Sequence, residues 1–427
     1  MMKNKKEPSA VSKPVSRSSL ITALDVGTTK VACLIAQFGE DGELQVSGVG
    51  HHRSRGMRAG QVANLDEAED SIRQAVATAE QMANTRVERV FCNISCGSPR
   101  SRKVNVELEV AGHQIRDADV KRILDLSSLK VEDEEPRDLI HCIPTGYSID
   151  GNGGVVDPRG MYGDKLAVTI QLVNAAIGPA RNLATAVERC ELEIADRVVS
   201  SYASGLAVLV NDEKDLGVTV IDMGGGTTSI AVFMEGQLVF VESVAIGGNH
   251  VTNDIAKGLS TPTAKAERLK TVHGSVIQSP GAAREMLKVP LVGEDDESGA
   301  TEIPKSMLVQ IMQPRLEETF EHVRNHLEAG GFGKAAGRRV VLTGGASQLE
   351  GIRDLAELVL DKQVRLARPK PVRGLAESMS GPAFATAAGL LRYGLKEHVT
   401  RPSLAALQAA GTKSGIGRIG RWLRENF

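Results

Sequence analysis

"VTVIDMGGGTTSIAVF", residues 218–233, is an apolar run that ends on Asp222, turns through three glycines and two threonines, and resumes as a second apolar run. The arrangement occurs earlier too: "LITALDVGTTKVACLIAQF", residues 20–38, places Asp25 ahead of Gly27, Thr28 and Thr29. Apolar runs of strand length joined by a short glycine turn read as β-hairpins, and one such hairpin is ordinary. Two of them, each with a carboxylate at a strand end and glycine behind it, point to chemistry. A strand-end Asp holds a divalent cation through water, glycine lets backbone N–H groups converge on phosphate oxygens, and Thr adds a short hydroxyl donor. Facing one another, Asp25, Gly27, Thr28 and Thr29 would form one jaw of a clamp on a metal-bound triphosphate. Asp222, Gly224, Gly225, Gly226, Thr227 and Thr228 would form the other. A third element, Thr343, Gly344 and Gly345 between a strand and a helix, offers close backbone approach at a helix N-terminus and suits the adenosine or phosphate end of a nucleotide.

Outside these motifs the chain is ordinary in composition. Its 427 residues, 41% hydrophobic and 24% charged, suffice for a sizeable core and roughly two to four compact units. The net charge of -2 gives no overall pull toward nucleic acid or membrane, so such affinity must come from a local patch. Cys33, Cys92, Cys96, Cys142 and Cys190 are scattered and odd in number, which fits reduced thiols better than a disulfide framework. A metal site from Cys92, Cys96, His141 and Cys142 is disfavoured, because "FCNISC" alternates like a strand and lacks a C-x2-C knuckle. Residues 1–18 are basic without an apolar core, which reads as a disordered tail and not a secretory signal. No run reaches the ~18 apolar residues that span a bilayer.

Strand and helix patterns alternate along the chain, which argues for an α/β protein. "NLDEAEDSIRQAVATAEQMA", residues 64–83, reads as an amphipathic helix capped by Asn64. From about 89 the character changes to strands flanking one helix, "DADVKRILDLSSLK", which is the pattern of a small α+β insertion. A polar piece follows the second hairpin. The stretch from 398, "HVTRPSLAALQAAGTKSG", reads as a linker.

"DVGTTK", "DMGGGTT" and "LTGGASQLEG", in this order, resemble the two phosphate motifs and the adenosine motif of the actin, Hsp70 and sugar-kinase superfamily, and within it the FtsA family of bacterial division proteins. The resemblance runs from about residue 20 to 427 and implies an actin-like, ribonuclease H-like duplicated core. It divides the chain into subdomain 1A (19–88, 172–203 and 376–397), an inserted 1C (89–171), 2A (204–248 and 311–375), 2B (249–310), a linker (398–413) and a C-terminal amphipathic helix (414–427). It further implies that ATP and Mg²⁺ bind in the cleft, with Lys30 and Gly247 among the contacts, Glu267 and Lys270 of "AERLK" at the adenine and ribose, and Asp25 and Asp222 at the metal. The implied partners are the C-terminal peptide of FtsZ on 2B, further copies of the chain in filaments, the anionic inner membrane at its cytoplasmic face, and later division proteins, with no nucleic acid. An actin-related pilus-assembly scaffold of the PilM type would share the cleft and the insertion.

One departure bears on catalysis. In Hsp70 and the bacterial actin-like filament proteins, the helix before the second phosphate motif carries a Glu that positions the attacking water; here it reads "SSYASGLAVL", residues 200–209, without a carboxylate. Losing a general base removes roughly 10²- to 10⁴-fold of rate, so the expectation is ATP binding with weak or absent hydrolysis and no catalytic residue. The last stretch, "SGIGRIGRWLRENF", is a basic amphipathic helix by its spacing. At 100° per residue Ile416, Ile419, Trp422, Leu423 and Phe427 share an arc of about 140°, opposite Arg418, Arg421 and Arg424. Trp and Arg together suit the headgroup region of an anionic bilayer, and an array of weak tails on a filament would bind by avidity.

Overall fold

In the computed structural model, which describes residues 20–38, 43–128, 136–294, 300–335 and 338–408, the first motif opens a five-stranded sheet. β1 (Ile21–Val26) pairs antiparallel with β2 (Lys30–Phe38), and β2 with β3 (Leu44–Arg53). A minimal pair, β4 (Met57–Arg58) and β5 (Gln61–Val62), leads into α1 (Leu65–Ala83). The cap of α1 is Asn64, whose Oδ1 accepts the N–H groups of Asp66 and Glu67 at 3.1 and 3.2 Å. β6 (Arg89–Ile94) then lies parallel to β1.

Here the chain leaves the sheet. β7 (Arg100–Glu109), α2 (Asp117–Ser128), β8 (Arg137–Ile149), β9 (Asn152–Val155) and β10 (Lys165–Ala176) build a separate four-stranded antiparallel sheet in the order β7-β10-β8-β9. Its own core, including Val106, Ile123, Leu166 and Ile170, is fully buried. The insertion therefore starts after Ile94, not at 89. "RVFCNI" is β6, a central strand of the main sheet, and a buried parallel strand has the same apolar look in sequence as a strand of the insertion. A hydrogen bond from the Val241 N–H to Ser101 Oγ at 2.7 Å ties the insertion to the second half of the chain.

α3 (Ile177–Glu188) returns the chain to β11 (Glu193–Val199), which completes the order β11-β6-β1-β2-β3. After α4 (Ser200–Val208) and α5 (Asn211–Leu216) the plan repeats. β12 (Val218–Met223), β13 (Thr228–Met234) and β14 (Gln237–Val244) form the antiparallel half of a second sheet. An excursion of α6 (Gly248–Gly258), α7 (Thr263–His273), β15 (Met286–Pro290) and β16 (Ala300–Pro304) runs into α8 (Lys305–Ala329) and α9 (Phe332–Ala335). β17 (Arg339–Thr343), α10 (Ile352–Leu360) and β18 (Gln363–Leu366) close the second sheet with parallel pairings, in the order β14-β13-β12-β17-β18. Each half is thus two antiparallel joins followed by two parallel ones, with β1 and β12 in equivalent places. The equivalence extends to register, since Asp25 lies opposite Ala32 and Asp222 opposite Ser229, each one residue before the last paired residue at its hairpin turn.

α4 and α11 (Ala385–Gln408) pack against each other, each following the last strand of its half. Their contact is tight enough that a Cβ on Gly389 would fall 1.8 Å from the Ala203 carbonyl oxygen. The small residues of "SSYASGLAVL" are what this approach requires. α11 also corrects the expected linker, because its backbone stays helical to Gln408 and does not stop at 397. Ser403 to Gln408 are mostly good helix formers, and Pro402 removes only one ladder bond. The tail 1–18, the stretch 409–413 and the amphipathic segment 414–427 lie outside the described residues. Among those described, no helix is long and apolar enough to cross a membrane.

Candidate functional site

The two hairpin turns are built alike. The Gly27 N–H donates to the Lys30 carbonyl and the Gly224 N–H to the Thr227 carbonyl, both at 2.9 Å. They face each other across one cleft lined by Asp25, Gly27 to Lys30, Asp222, Gly224 to Thr227, Gly344 and Gly345. The jaws touch. A Cβ on Gly225 would meet Thr29 Cγ2 at 2.4 Å, and one on Gly226 would meet Thr28 Oγ1 at 2.3 Å. Glycine at these positions is what lets the second loop reach the first. α6 supports the loop from behind, with the N–H groups of Gly248 and Asn249 donating to the carbonyls of Gly224 and Gly225 at 3.0 and 2.7 Å. Gly247 sits against the same loop, where a Cβ would come within 2.7 Å of the Gly224 oxygen. It therefore supports the loop and does not line the cleft.

Both carboxylates are buried at strand ends. Asp25 is pushed up to about 6, first by burial and also by the Asp222 charge, against the pull of Lys30 at 3.8 Å. Asp222 is also raised by burial, opposed by hydrogen bonds from Ser204 on α4 and Thr386 on α11, the latter at 2.9 Å. Both donors use Oδ2, so that oxygen is oriented and occupied, a poor arrangement for a general base. Gly344, at φ 89°, is obligatory here: a Cβ would fall 2.4 Å from Asp222 Oδ1. Lys30 ties the first hairpin to the Pro382–Phe384 turn, pairing with Asp25, donating to the Ala383 carbonyl and lying 4.2 Å over the Phe384 ring.

Several residues stand elsewhere than the sequence reading put them. Thr228 is fully buried and donates to the Ile246 carbonyl at 2.9 Å, whereas Ser229 lines the cleft. Thr228 begins β13, and alternation along a strand turns its side chain away from the face that Thr227 and Ser229 share. Glu267 and Lys270 do not line the cleft. Lys270 is buried and satisfied by Glu267 at 2.7 Å, Thr252 at 2.9 Å and the Gly248 carbonyl at 3.0 Å, because an ammonium taken out of water needs acceptors within reach. Gly345 opens a 3-10 turn, Gly345–Gln348, and the α-helix begins only at Ile352. Sequence reading missed Asn93, Ser95, Ser200 and Thr386. Asn93 is buried on β6 beside the first turn, accepting the Val26 N–H at 2.7 Å and donating to Ser200 at 3.2 Å. A polar residue inside the apolar run "RVFCNI" was the signal for it; the hydroxyls on α4 and α11 carry none.

Comparison with known proteins agrees with this geometry. Residues 219–389 match the profile of "Cell division protein FtsA", and residues 96–174 match "SHS2 domain inserted in FTSA". The chain is 40% identical to cell division protein FtsA of Agrobacterium fabrum across 97% of both chains. It is 32% identical to that of Escherichia coli K12, across 96% of this chain and 98% of the other. Among solved structures, the PilM-PilN type IV pilus biogenesis complex aligns with TM-score 0.63 at 17% identity over 88% of this chain and 98% of that one. MreB 5 of Spiroplasma citri bound to AMPPNP aligns with TM-score 0.53 at 14% identity over 91% and 100%. At such identities these two likenesses show the actin-like fold and nothing further.

Proposed function

The chain belongs to the FtsA family of cell division proteins, and from that premise we propose that it binds ATP with Mg²⁺ in the cleft, assembles into filaments, and anchors FtsZ to the cytoplasmic face of the inner membrane. The observation that carries the nucleotide reading is the meeting of Asp25 and Asp222, on equivalent strands of a duplicated core, at two glycine turns in one cleft. The fit to a magnesium nucleotide is good on three counts. Two buried carboxylates stand close enough to raise Asp25, and a divalent cation relieves such a pair. Glycine at 225, 226 and 344 lets the turns close on one another around the cleft, where a Cβ would strike Thr29, Thr28 or Asp222. Lys30 supplies a cation at the mouth of the first turn.

Bound there, Mg²⁺ would neutralise phosphate charge. Asp25 and Asp222 would hold the cation and its waters, Thr28, Thr29 and Thr227 would offer hydroxyls to phosphate, and Gly344 and Gly345 would flank the nucleoside. The helix α4 presents Ser200, Ser201 and Ser204 in place of a carboxylate, so the chain holds nucleotide without a strong base for hydrolysis. ATP thereby acts as a ligand that favours the closed, assembling form. The liganded filament presents many C-terminal tails to the membrane, and the FtsZ C-terminal peptide binds in the 249–310 region. The test is a phosphate-release assay beside liposome co-sedimentation with and without ATP and the FtsZ tail peptide. Saturable ATP binding with turnover far below one per second, and co-sedimentation that rises with ATP, are expected. Sustained turnover well above about one per second, ordinary for an enzyme, would refute the ligand role.

A further inference from the structure

One corner of the cleft is closed by the turn between β4 and β5, which holds Ala59 and Gly60 at φ 47° and 76°. Its tip reaches both jaws. The Gly60 N–H donates to Thr28 Oγ1 at 2.9 Å, which leaves the hydroxyl proton free for an acceptor in the cleft. A Cβ on Gly226 would fall 2.9 Å from Ala59 Cα, and one on Gly60 would stand 2.9 Å from Thr227 Cγ2 and 3.3 Å from Ser95 Oγ. Thr28, Thr227 and Ser95 all line the cleft, and among the described residues no protein group hydrogen-bonds the hydroxyl of Ser95 or Thr227. Three hydroxyls with uncommitted protons thus collect at one corner. Gly344 has other neighbours, since a Cβ there would meet Asp222 and Met223, and its N–H donates to the Pro382 carbonyl at 3.2 Å.

Ser95 also stands just before the insertion. Two positions on, Gly97 and Ser98 are left-handed in succession, at φ 71° and 46°. The Gly97 carbonyl accepts the N–H of Ala176, where the insertion ends, at 2.8 Å. A Cβ on Gly97 would lie 2.9 Å from the Ala176 nitrogen, so entry and exit run in direct contact. Arg137 clasps both. Its Nε donates to Asn174 Oδ1 at 2.8 Å, and its Nη2 reaches the carbonyls of Gly97 at 3.3 Å, Asn174 at 3.4 Å and Ser98.

Given the nucleotide reading of the cleft, on which this inference rests, we propose that Ser95, with Thr28 and Thr227, receives the terminal phosphate of a nucleoside triphosphate, and that this contact sets how the insertion is seated on its Gly97–Ser98 neck. With the nucleoside beside Gly344 and Gly345 and the metal at Asp25 and Asp222, the corner beyond the two turns takes the last phosphate. Hydroxyls donate to phosphate oxygens in short, charge-assisted bonds, and a diphosphate ends before it reaches them. Gly97 has the backbone freedom that a hinge requires, and the Arg137 clasp gives the neck two arrangements, closed or open. A phosphate that fixes Ser95 favours the closed one.

The experiment uses the full chain with Mg-ATP and Mg-ADP, reading affinity by calorimetry and the neck by hydrogen exchange of peptides that cover Gly97 and Ala176. In the parent, ATP is expected to bind more tightly than ADP and to slow exchange at the Ala176 N–H more than ADP does. Ser95→Ala removes no hydrogen bond within the protein, so its melting temperature without nucleotide should equal the parent's. A hydrogen bond to a charged group is worth roughly tenfold to 100-fold in binding. The variant should lose about that much ATP affinity, keep its ADP affinity, and show the same exchange with either nucleotide. Coupling is reciprocal, so Arg137→Gln, which opens the clasp outside the cleft, should also narrow the preference for ATP. Unchanged ATP affinity in Ser95→Ala, or an equal loss for ATP and ADP, overturns the terminal-phosphate assignment. A loss confined to ATP, with the exchange difference intact, overturns the coupling to the insertion. A lower melting temperature of Ser95→Ala without nucleotide makes the residue structural and overturns the assignment. Absence of binding of either nucleotide by the parent refutes the cleft reading itself, whereas ATP bound equally by parent and variant leaves that reading standing and sinks this inference alone.

Discussion

Asp25→Asn should stabilise the protein while abolishing its ligand. The Asp25 carboxyl is buried and held at about 6, against an ordinary 3.8. Two units at 1.36 kcal/mol each place the cost of keeping it ionised in the fold at about 3 kcal/mol at neutral pH. The sign follows from linkage. A carboxyl whose folded value is raised binds its proton more tightly in the native state, so its contribution to stability is fully present below about 4 and is lost as pH rises through about 6. Asn keeps the shape and carries no charge. The variant should therefore gain up to about 3 kcal/mol over the parent near pH 7.5 and almost nothing near pH 4, with the difference growing through the interval between. Urea unfolding of both proteins across that range reads the difference directly, since other titrating groups are common to both. Calorimetry on the same samples should find Mg-ATP affinity lost in the variant. In the parent that affinity should decline below about 6, where protons compete for the carboxylate. A variant less stable than the parent at neutral pH, or a difference that does not change with pH, would refute the electrostatic account of the site.

Four other outcomes are expected. Asp222→Ala removes the acceptor of Ser204 and Thr386, and Gly225→Asp both drives a Cβ into Thr29 and sets a like charge where phosphate approaches; calorimetry should detect no Mg-ATP binding in either, with circular dichroism unchanged. Gly389→Ala drives a methyl into the Ala203 carbonyl and should lower stability by about 1–3 kcal/mol or more, seen as a lower urea midpoint. Glu213→Gln leaves Arg365 without its ionic partner between α5 and β18 and should cost roughly 1.5–3 kcal/mol by the same measurement. Trp422, the chain's one tryptophan, should shift its emission to the blue with anionic vesicles; a spectrum already blue without lipid would mean the helix docks on its own domain.

The duplicated hairpin was legible in the residues themselves, because a strand-end aspartate, a glycine turn and a resumed apolar run are local patterns that survive without tertiary context. So were the Asn64 cap and the alternation that made an α/β fold the expectation. The fate of individual side chains was not. Whether Thr228 or Ser229 faces the cleft depends on where β13 begins, a one-residue matter of register that the run "TTS" cannot fix. Glu267 and Lys270 look like an exposed pair until α6 and α7 pack together and enclose the lysine among acceptors. The start of the insertion was hidden because β6 is apolar by virtue of its burial in the main sheet. Asp222 itself was visible from the start, but its orientation is set by Ser204, Thr386 and the bare Cα of Gly344, three residues brought together only when both halves of the chain and the α4–α11 pair close around it. Sequence by itself determined the parts whose meaning is local: the two carboxylates and their turns. The tertiary structure decided what those parts touch, because contact between distant segments depends on packing, and no spacing in the chain encodes it directly.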